Sequence, residues 1–137
     1  MRRYLGKLAG PLIDRIDIKV EVEPVSRVDL DSSHSAECSK SIRERVARSR
    51  EKAAERVSGL GYSLNSEIPA KSLRSEFRPE RAAMNFLHDQ LDRELITARG
   101  LHKVMRLSWT LADLADHPLP TLNDVHGAFQ LRNGGYL

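Results

Sequence analysis

A single cysteine, Cys38, occurs among the 137 residues. That excludes an intrachain disulfide and any metal site built on grouped thiolates. Cys38 lies in a serine-rich approach to a helix, where it reads as a surface thiol and not a nucleophile. Aromatic residues are scarce, at 5% of the chain, and none interleaves with the basic stripe described below, so a stacking platform for single-stranded bases is missing. No apolar run approaches the ~20 residues that cross a bilayer. No charged-then-apolar leader opens the chain, so no membrane partner and a cytoplasmic location are expected. The eight glycines never fall as G-x-x-x-x-G-K-S/T, and no apolar strand ends in paired acids. The chain therefore lacks a phosphate cradle and a magnesium site of its own, and by itself it is not expected to be an enzyme. Asp29, Asp31 and His34 sit together in a polar stretch, but nothing nearby completes a coordination sphere, so no metal is expected.

What is present is an ordinary globular composition. Hydrophobic residues make up 40% and charged residues 30%, and the length suits one domain with a real core. The net charge of +3 permits contact with nucleic acid without arguing for it.

Along the chain, residues 1–25 read as a short helix or turn followed by a strand. Asp17-Ile18-Lys19-Val20-Glu21-Val22-Glu23 alternates charged and apolar positions, and Pro24 ends the pattern. A lone strand lacks partners for its backbone, so the segment reads as severed from a sheet, and the chain as a fragment. Residues 26–41 carry no periodic apolar pattern and read as a flexible linker. From Ser41 to Leu60 a long helix is expected, with Ile42, Val46, Ala53, Val57 and Leu60 as its apolar stripe and Gly59 or Gly61 as its stop. Arg45, Arg48, Lys52 and Arg56 stack on another face of it. Such a stripe could follow a phosphate backbone. However, Glu44, Glu51 and Glu55 interleave with it, and Glu44 stands four residues before Arg48, so a solvated, salt-bridged face is the preferred reading.

Residues 61–68 read as a loop, and Pro69 opens a short helix to about Arg74, with Leu64, Ile68, Leu73 and Phe77 as anchors. Pro79 precedes a helix whose inner face carries Ala83, Phe86, Leu87, Leu91 and Leu95; His88 on it reads as a surface residue. Thr97 is placed to cap a helix running to about Asp116, with Leu101, Val104, Met105, Ser108, Leu111, Ala112 and Ala115 on one face. Pro118 and Pro120 stop it. Thr121 caps the last helix with Asp124 at the third position, and Val125, Ala128, Phe129 and Leu131 are its apolar residues. Asn133-Gly134-Gly135 ends that helix, leaving 133–137 as a tail. The expected fold is mainly α: a small helical bundle over 42–132, preceded by the helix/strand remnant and the linker.

Two stretches resemble one family. Arg3-Tyr4-Leu5-Gly6-Lys7-Leu8-Ala9-Gly10-Pro11-Leu12-Ile13-Asp14-Arg15-Ile16-Asp17-Ile18 is similar to the stretch that closes the ATPase core in the ComM/YifB-type, magnesium-chelatase-like AAA+ proteins. Ala9 stands where that family usually has Ser. Ile96 to Leu114, with Thr97-Ala98-Arg99 at its head, resembles the family's sensor-2 helix. The match is strong at Leu5–Val22 and Ile96–Leu114 and weaker between.

The resemblance implies that the chain is the C-terminal piece of such a protein, residues 1–25 ending the core and 42–132 forming the helical lid. It implies that Arg15 is an arginine finger reaching the γ-phosphate held by the next subunit, a role suited to a guanidinium that meets phosphate oxygens bidentately. Arg99 takes the sensor-2 position, contacting the nucleotide of its own subunit, with Arg106 two turns later as a supporting residue. Trp109 replaces a second arginine of that segment and is expected to cover core or a subunit contact. Without the resemblance, Arg15 reads as a surface residue paired with Asp14 or Asp17, and Arg99 as one paired with Asp92. The parent protein implied is a hexameric ring that uses ATP and Mg2+, with ComM-like members linked to DNA branch migration during uptake of foreign DNA. Two other readings remain: a DNA-binding module working through Arg45, Arg48, Lys52 and Arg56, and an oligomerisation module.

Overall fold

A computed structural model describes residues 14–22, 24, 27 and 37–134. Most of the expected linker, with Asp29, Asp31 and His34, lies outside the described residues. Among the described residues from 37 to 134 five α-helices form: α1 Ser39–Arg56, α2 Ala70–Arg74, α3 Arg81–Asp92, α4 Ala98–Ala115 and α5 Leu122–Asn133, with a 3-10 turn at Asn65–Glu67 between α1 and α2. The mainly helical bundle expected from the periodicities is what forms. The 3-10 turn is an addition within the expected 61–68 loop.

The starts of α4 and α5 follow from their caps. Thr97 Oγ1 accepts from the Gly100 N–H at 3.0 Å, and Thr121 and Asp124 make a reciprocal capping box, with the Thr121 N–H donating to Asp124 Oδ2 at 2.8 Å. Each cap satisfies a first-turn donor that the helix cannot. α4 ends at Asp116 in the left-handed region (φ +64°), and the His117 N–H returns to the Ala112 carbonyl. α5 ends at Gly134 with φ +83°, where glycine pays no Cβ penalty. α1 stops at Arg56, before the expected Gly59; Gly59 and Gly61 instead turn the chain afterwards at φ +79° and +82°.

α4 is the central element, packed against α1, the 3-10 turn, α2, α3 and α5, while α3 also rests on α5. Ile68, Leu73, Leu87, Val104, Met105 and Val125 are buried in the core they share. Trp109 belongs to that core. It meets Phe77 edge to face and donates its indole N–H to the Phe77 carbonyl at 2.9 Å. The expected stripe of α1 is only half realised: Ala53 and Val57 are buried, but Ile42, Val46 and Leu60 are exposed. Among the described residues no element packs over Ile42 and Val46 in its first turns. Leu64, Leu95 and Ala115 are likewise exposed.

Among the described residues no strand forms. Ile16, Ile18, Val20 and Val22 are exposed, although their alternation is that of a half-buried strand. This segment meets the bundle through the Lys19 N–H, which donates to the Leu131 carbonyl at 2.8 Å. A contact with a helix end is no ladder, and a strand without a neighbouring strand has nothing to hold its pleat.

Asp124 gives the fold a pH dependence. Burial works to raise its carboxyl, but hydrogen bonds from the Thr121 backbone, His117 and the Thr121 hydroxyl outweigh it and hold the carboxyl below the usual aspartate value. The stabilisation is therefore complete above the unfolded value of about 4 and is lost as pH falls through the lower folded value. Asp124→Asn should cost about 1 kcal/mol of unfolding free energy at pH 7. In urea titrations the gap from the unmodified chain should stay constant down to about pH 5 and close below about pH 4.

Candidate functional site

The first turn of α4 gathers the charged residues that the core does not absorb. Thr97 fixes where the helix begins and Arg99 is its second residue, with 60% of its side chain exposed. Arg99 Nε lies 3.8 Å from Asp14 Oδ2. The other carboxylate oxygen of Asp14 takes Arg132 Nη2, from the last turn of α5, at 2.5 Å. Arg132 also donates to two backbone carbonyls, Asp14 O at 3.3 Å and Ile16 O at 2.9 Å. One turn into α4, Lys103 donates to the Arg15 carbonyl and pairs with Asp17, both at 2.7 Å. The Arg15 side chain itself is exposed.

Beside this cluster lies an open cleft of about 220 Å³, walled by Asp14 and Lys19, by Glu94 to Thr97 between α3 and α4, and by Arg132 and Asn133. The N-terminus of α4 adds its partial positive charge. In the described ion pairs of this end three cations, Arg99, Lys103 and Arg132, meet two acids, Asp14 and Asp17. Arg15 is exposed beside them, and Lys19 and Glu94 offset each other on the cleft wall, so this group of side chains is net positive and suited to an anion. The acids that the sequence offers as partners for Arg15 are committed elsewhere, Asp14 to Arg132 and Asp17 to Lys103. Arg99 has Asp14, not Asp92, as its neighbour.

Arg106 is not part of this end. It lies about 10 Å farther along the helix, half-buried, and its Nε donates to the Ile68 carbonyl at 2.9 Å. Burial, then the charges of Arg74 and Arg106, push the nearby His102 imidazole below its usual value, which marks this middle stretch as cationic as well.

The basic residues of α1 are mostly engaged within the chain. Arg45 pairs with Glu37 at 2.6 Å and Lys52 with Asp116, whose carboxyl it pulls below the usual range. Arg56 turns inward. It pairs with the buried Asp113, donates to Asn65 Oδ1 at 3.0 Å and stacks 4.1 Å over the Trp109 ring. Arg48 is exposed. Glu44 pairs with Lys40, at 4.0 Å, in place of the expected Arg48.

Cys38 is exposed and shares a hydrogen bond with the Ser41 hydroxyl. Among the described residues no three His, Cys, Asp or Glu side chains are grouped to hold a metal, and no helix is long and apolar enough to cross a membrane. The sequence reading missed Asp14 as a shared carboxylate, and it missed Lys103 and Arg132. The single hint at Arg132 is a basic residue in a last turn, which helix ends favour for their own reasons.

Residues 36–132 match the family model described as magnesium chelatase, subunit ChlI C-terminal. Residues 1–30 match the one described as magnesium chelatase, subunit ChlI. An uncharacterized protein of Mycobacterium tuberculosis is 42% identical over 134 residues, which is 98% of this chain and 26% of that protein. The competence protein ComM of Haemophilus influenzae is 31% identical over 113 residues, 82% of this chain and 21% of its own length. The uncharacterized protein YifB of Escherichia coli is 24% identical over 131 residues, 95% of this chain and 25% of its own length. The chain thus spans about a quarter of the length of the curated relatives it matches.

The two arginines of α4 should separate in stability measurements. Arg106→Ala leaves the Ile68 carbonyl without its partner and should cost about 1–2 kcal/mol in urea unfolding. Arg99→Ala, exposed and loosely paired, should change stability by less than about 0.5 kcal/mol.

Proposed function

The chain belongs to the magnesium chelatase ChlI C-terminal family, of the ComM/YifB type, and from that premise we propose that it is the lid portion of an AAA+ ATPase. In this reading residues 1–25 close the ATPase core, 26–41 link it to the lid and 42–132 are the lid. ATP and Mg2+ are held by a core that supplies the phosphate cradle and the acid pair lacking here. The chain contributes Arg99 to the nucleotide of its own subunit and Arg15 to that of its neighbour in a ring, for which six subunits are the expected number. The Haemophilus relative is named a competence protein; by that likeness we place the parent's work on DNA, with branch migration as the process served.

The observation that carries the reading is the exposed Arg99 at the capped, electropositive start of α4, next to a turn that leaves Arg15 in solvent. A guanidinium cannot lose its proton, and one held at a helix N-terminus adds its charge to that of the dipole. Movement of the lid toward the core would bring that fixed charge to the γ-phosphate and tie nucleotide state to lid angle. Arg15 would offset the charge that builds on the transferring phosphoryl group, worth on the order of 10³-fold or more in turnover for such fingers. Arg106, occupied with Ile68, supports the site by keeping α4 in register with the 3-10 turn.

Nuclear magnetic resonance spectra of the chain alone, titrated with Mg-ATP, should show no saturable shift. Micromolar saturation centred on Arg99 and Arg15 would give the chain a nucleotide site of its own and overturn the lid reading. With the chain joined to its P-loop core, Arg99→Ala should lower ATP turnover at least about tenfold and Arg15→Ala about a thousandfold. Mixing Arg15→Ala subunits with subunits disabled in the P-loop should restore part of the activity, since a finger acts across the subunit boundary.

A further inference from the structure

Arg15 extends into solvent from a turn whose backbone is held on both sides. Arg132 is 9% exposed at its side chain, a depth at which an arginine needs partners. All the partners it finds lie in Asp14–Ile16: Asp14 Oδ1 at 2.5 Å, Asp14 O at 3.3 Å and Ile16 O at 2.9 Å. Lys103, 12% exposed, gives its ammonium to the Arg15 carbonyl and Asp17. α4 and α5 thus each commit a nearly buried cation to one short turn. Gly100 makes room for this. A Cβ there would stand 3.1 Å from Arg132 Nε and 3.4 Å from Thr97 Oγ1.

Asp14 is also divided. One oxygen holds the buried Arg132 and the other faces the exposed Arg99 at 3.8 Å. Two cations drawn to one carboxylate repel each other, so each is held less firmly than it would be with the other absent.

We propose that Arg132 and Lys103 are positioning residues for Arg15, and that Asp14 couples Arg15 to Arg99. The helices of the lid set where Arg15 points. When a phosphate draws Arg99 away, its repulsion of Arg132 is relieved and the bond from Arg132 to Asp14 holds the Arg15 turn more firmly. Nucleotide in one subunit then readies the arginine offered to the next. The proposal rests on the assignments of Arg15 and Arg99 made above.

The test uses the full-length protein that contains this chain, assembled on its P-loop core. Amide hydrogen exchange is followed at residues 15–19 for Arg132→Gln and for Asp14→Asn; Asp14 lies off the helical core, so the bundle survives its replacement. Both variants should exchange at least about tenfold faster there while the core amides of α3 and α4 stay unchanged. Both should lower kcat for ATP with KM within about twofold, since the affected group acts on the neighbour's transition state. Arg132→Lys should recover part of kcat, as it keeps the charge but not the fork. Saturating nucleotide should slow exchange at 15–19 in the unmodified protein, and Arg99→Ala should abolish that slowing. Unchanged exchange in both variants, or faster exchange with intact turnover while Arg15→Ala is inactive, overturns the positioning role. Nucleotide that leaves exchange at 15–19 unaltered overturns the coupling. Full turnover in Arg15→Ala is the separate failure of the finger assignment, legible without the exchange data, and the proposal falls with it.

Discussion

α4 is buried along most of its length, and that burial dictates the pairing of nearly every polar group around it. Val104, Met105, Ser108 and Ala112 have no exposed surface, so a polar atom on the same stretch must find its partner inside the protein. Ser108 donates to the Met105 carbonyl of its own helix. Trp109 reaches Phe77, Arg106 reaches Ile68, and Asp113 receives Arg56 and Asn65. These bonds join α4 to α1 and to the irregular stretch between α1 and α3, where no long helix supplies apolar area. Among the described residues no buried side-chain polar atom is left without a partner.

At its first turn α4 emerges from this enclosure, and the rule relaxes. Arg99 is exposed and only loosely paired, a state that costs a buried guanidinium several kcal/mol and a solvated one almost nothing. The same helix therefore carries arginines of two kinds. Arg106 is held by the fold, whereas Arg99 is left available to something outside it. The difference comes from depth alone, since the two project from nearly the same side seven residues apart.

Much of the bundle was legible from local chemistry. Thr97, Thr121 and Asp124 cap helices because a hydroxyl or carboxylate three residues from an unpaired N–H satisfies it regardless of what lies beyond. Ala83, Leu87, Leu101, Val104, Met105, Val125 and Ala128 follow helical spacing and are buried. The strand expected at 17–23 failed because period two is a statement about two faces, and the described residues leave its apolar face, Ile18, Val20 and Val22, exposed and offer it no neighbouring strand. Ile42 and Val46 failed for a related reason. Their spacing identifies one face of a helix but not whether another element reaches that far.

The sequence by itself determined the helices, the capped starts of α4 and α5, and the family, because caps, periodicities and motifs are short-range patterns. Which charges are spoken for was decided only by the tertiary structure. Asp14 and Arg132 lie 118 residues apart and Arg56 and Asp113 lie 57 apart, and no spacing rule links them. Three of the four residues in the basic stripe of α1 look alike in the sequence and meet different fates: Arg45 on a surface glutamate, Lys52 on Asp116 at the C-terminal cap of α4, Arg56 turned inward against Asp113 and Trp109. A charge is identified by its residue, but whether it is free depends on what the folded chain brings within about 4 Å of it.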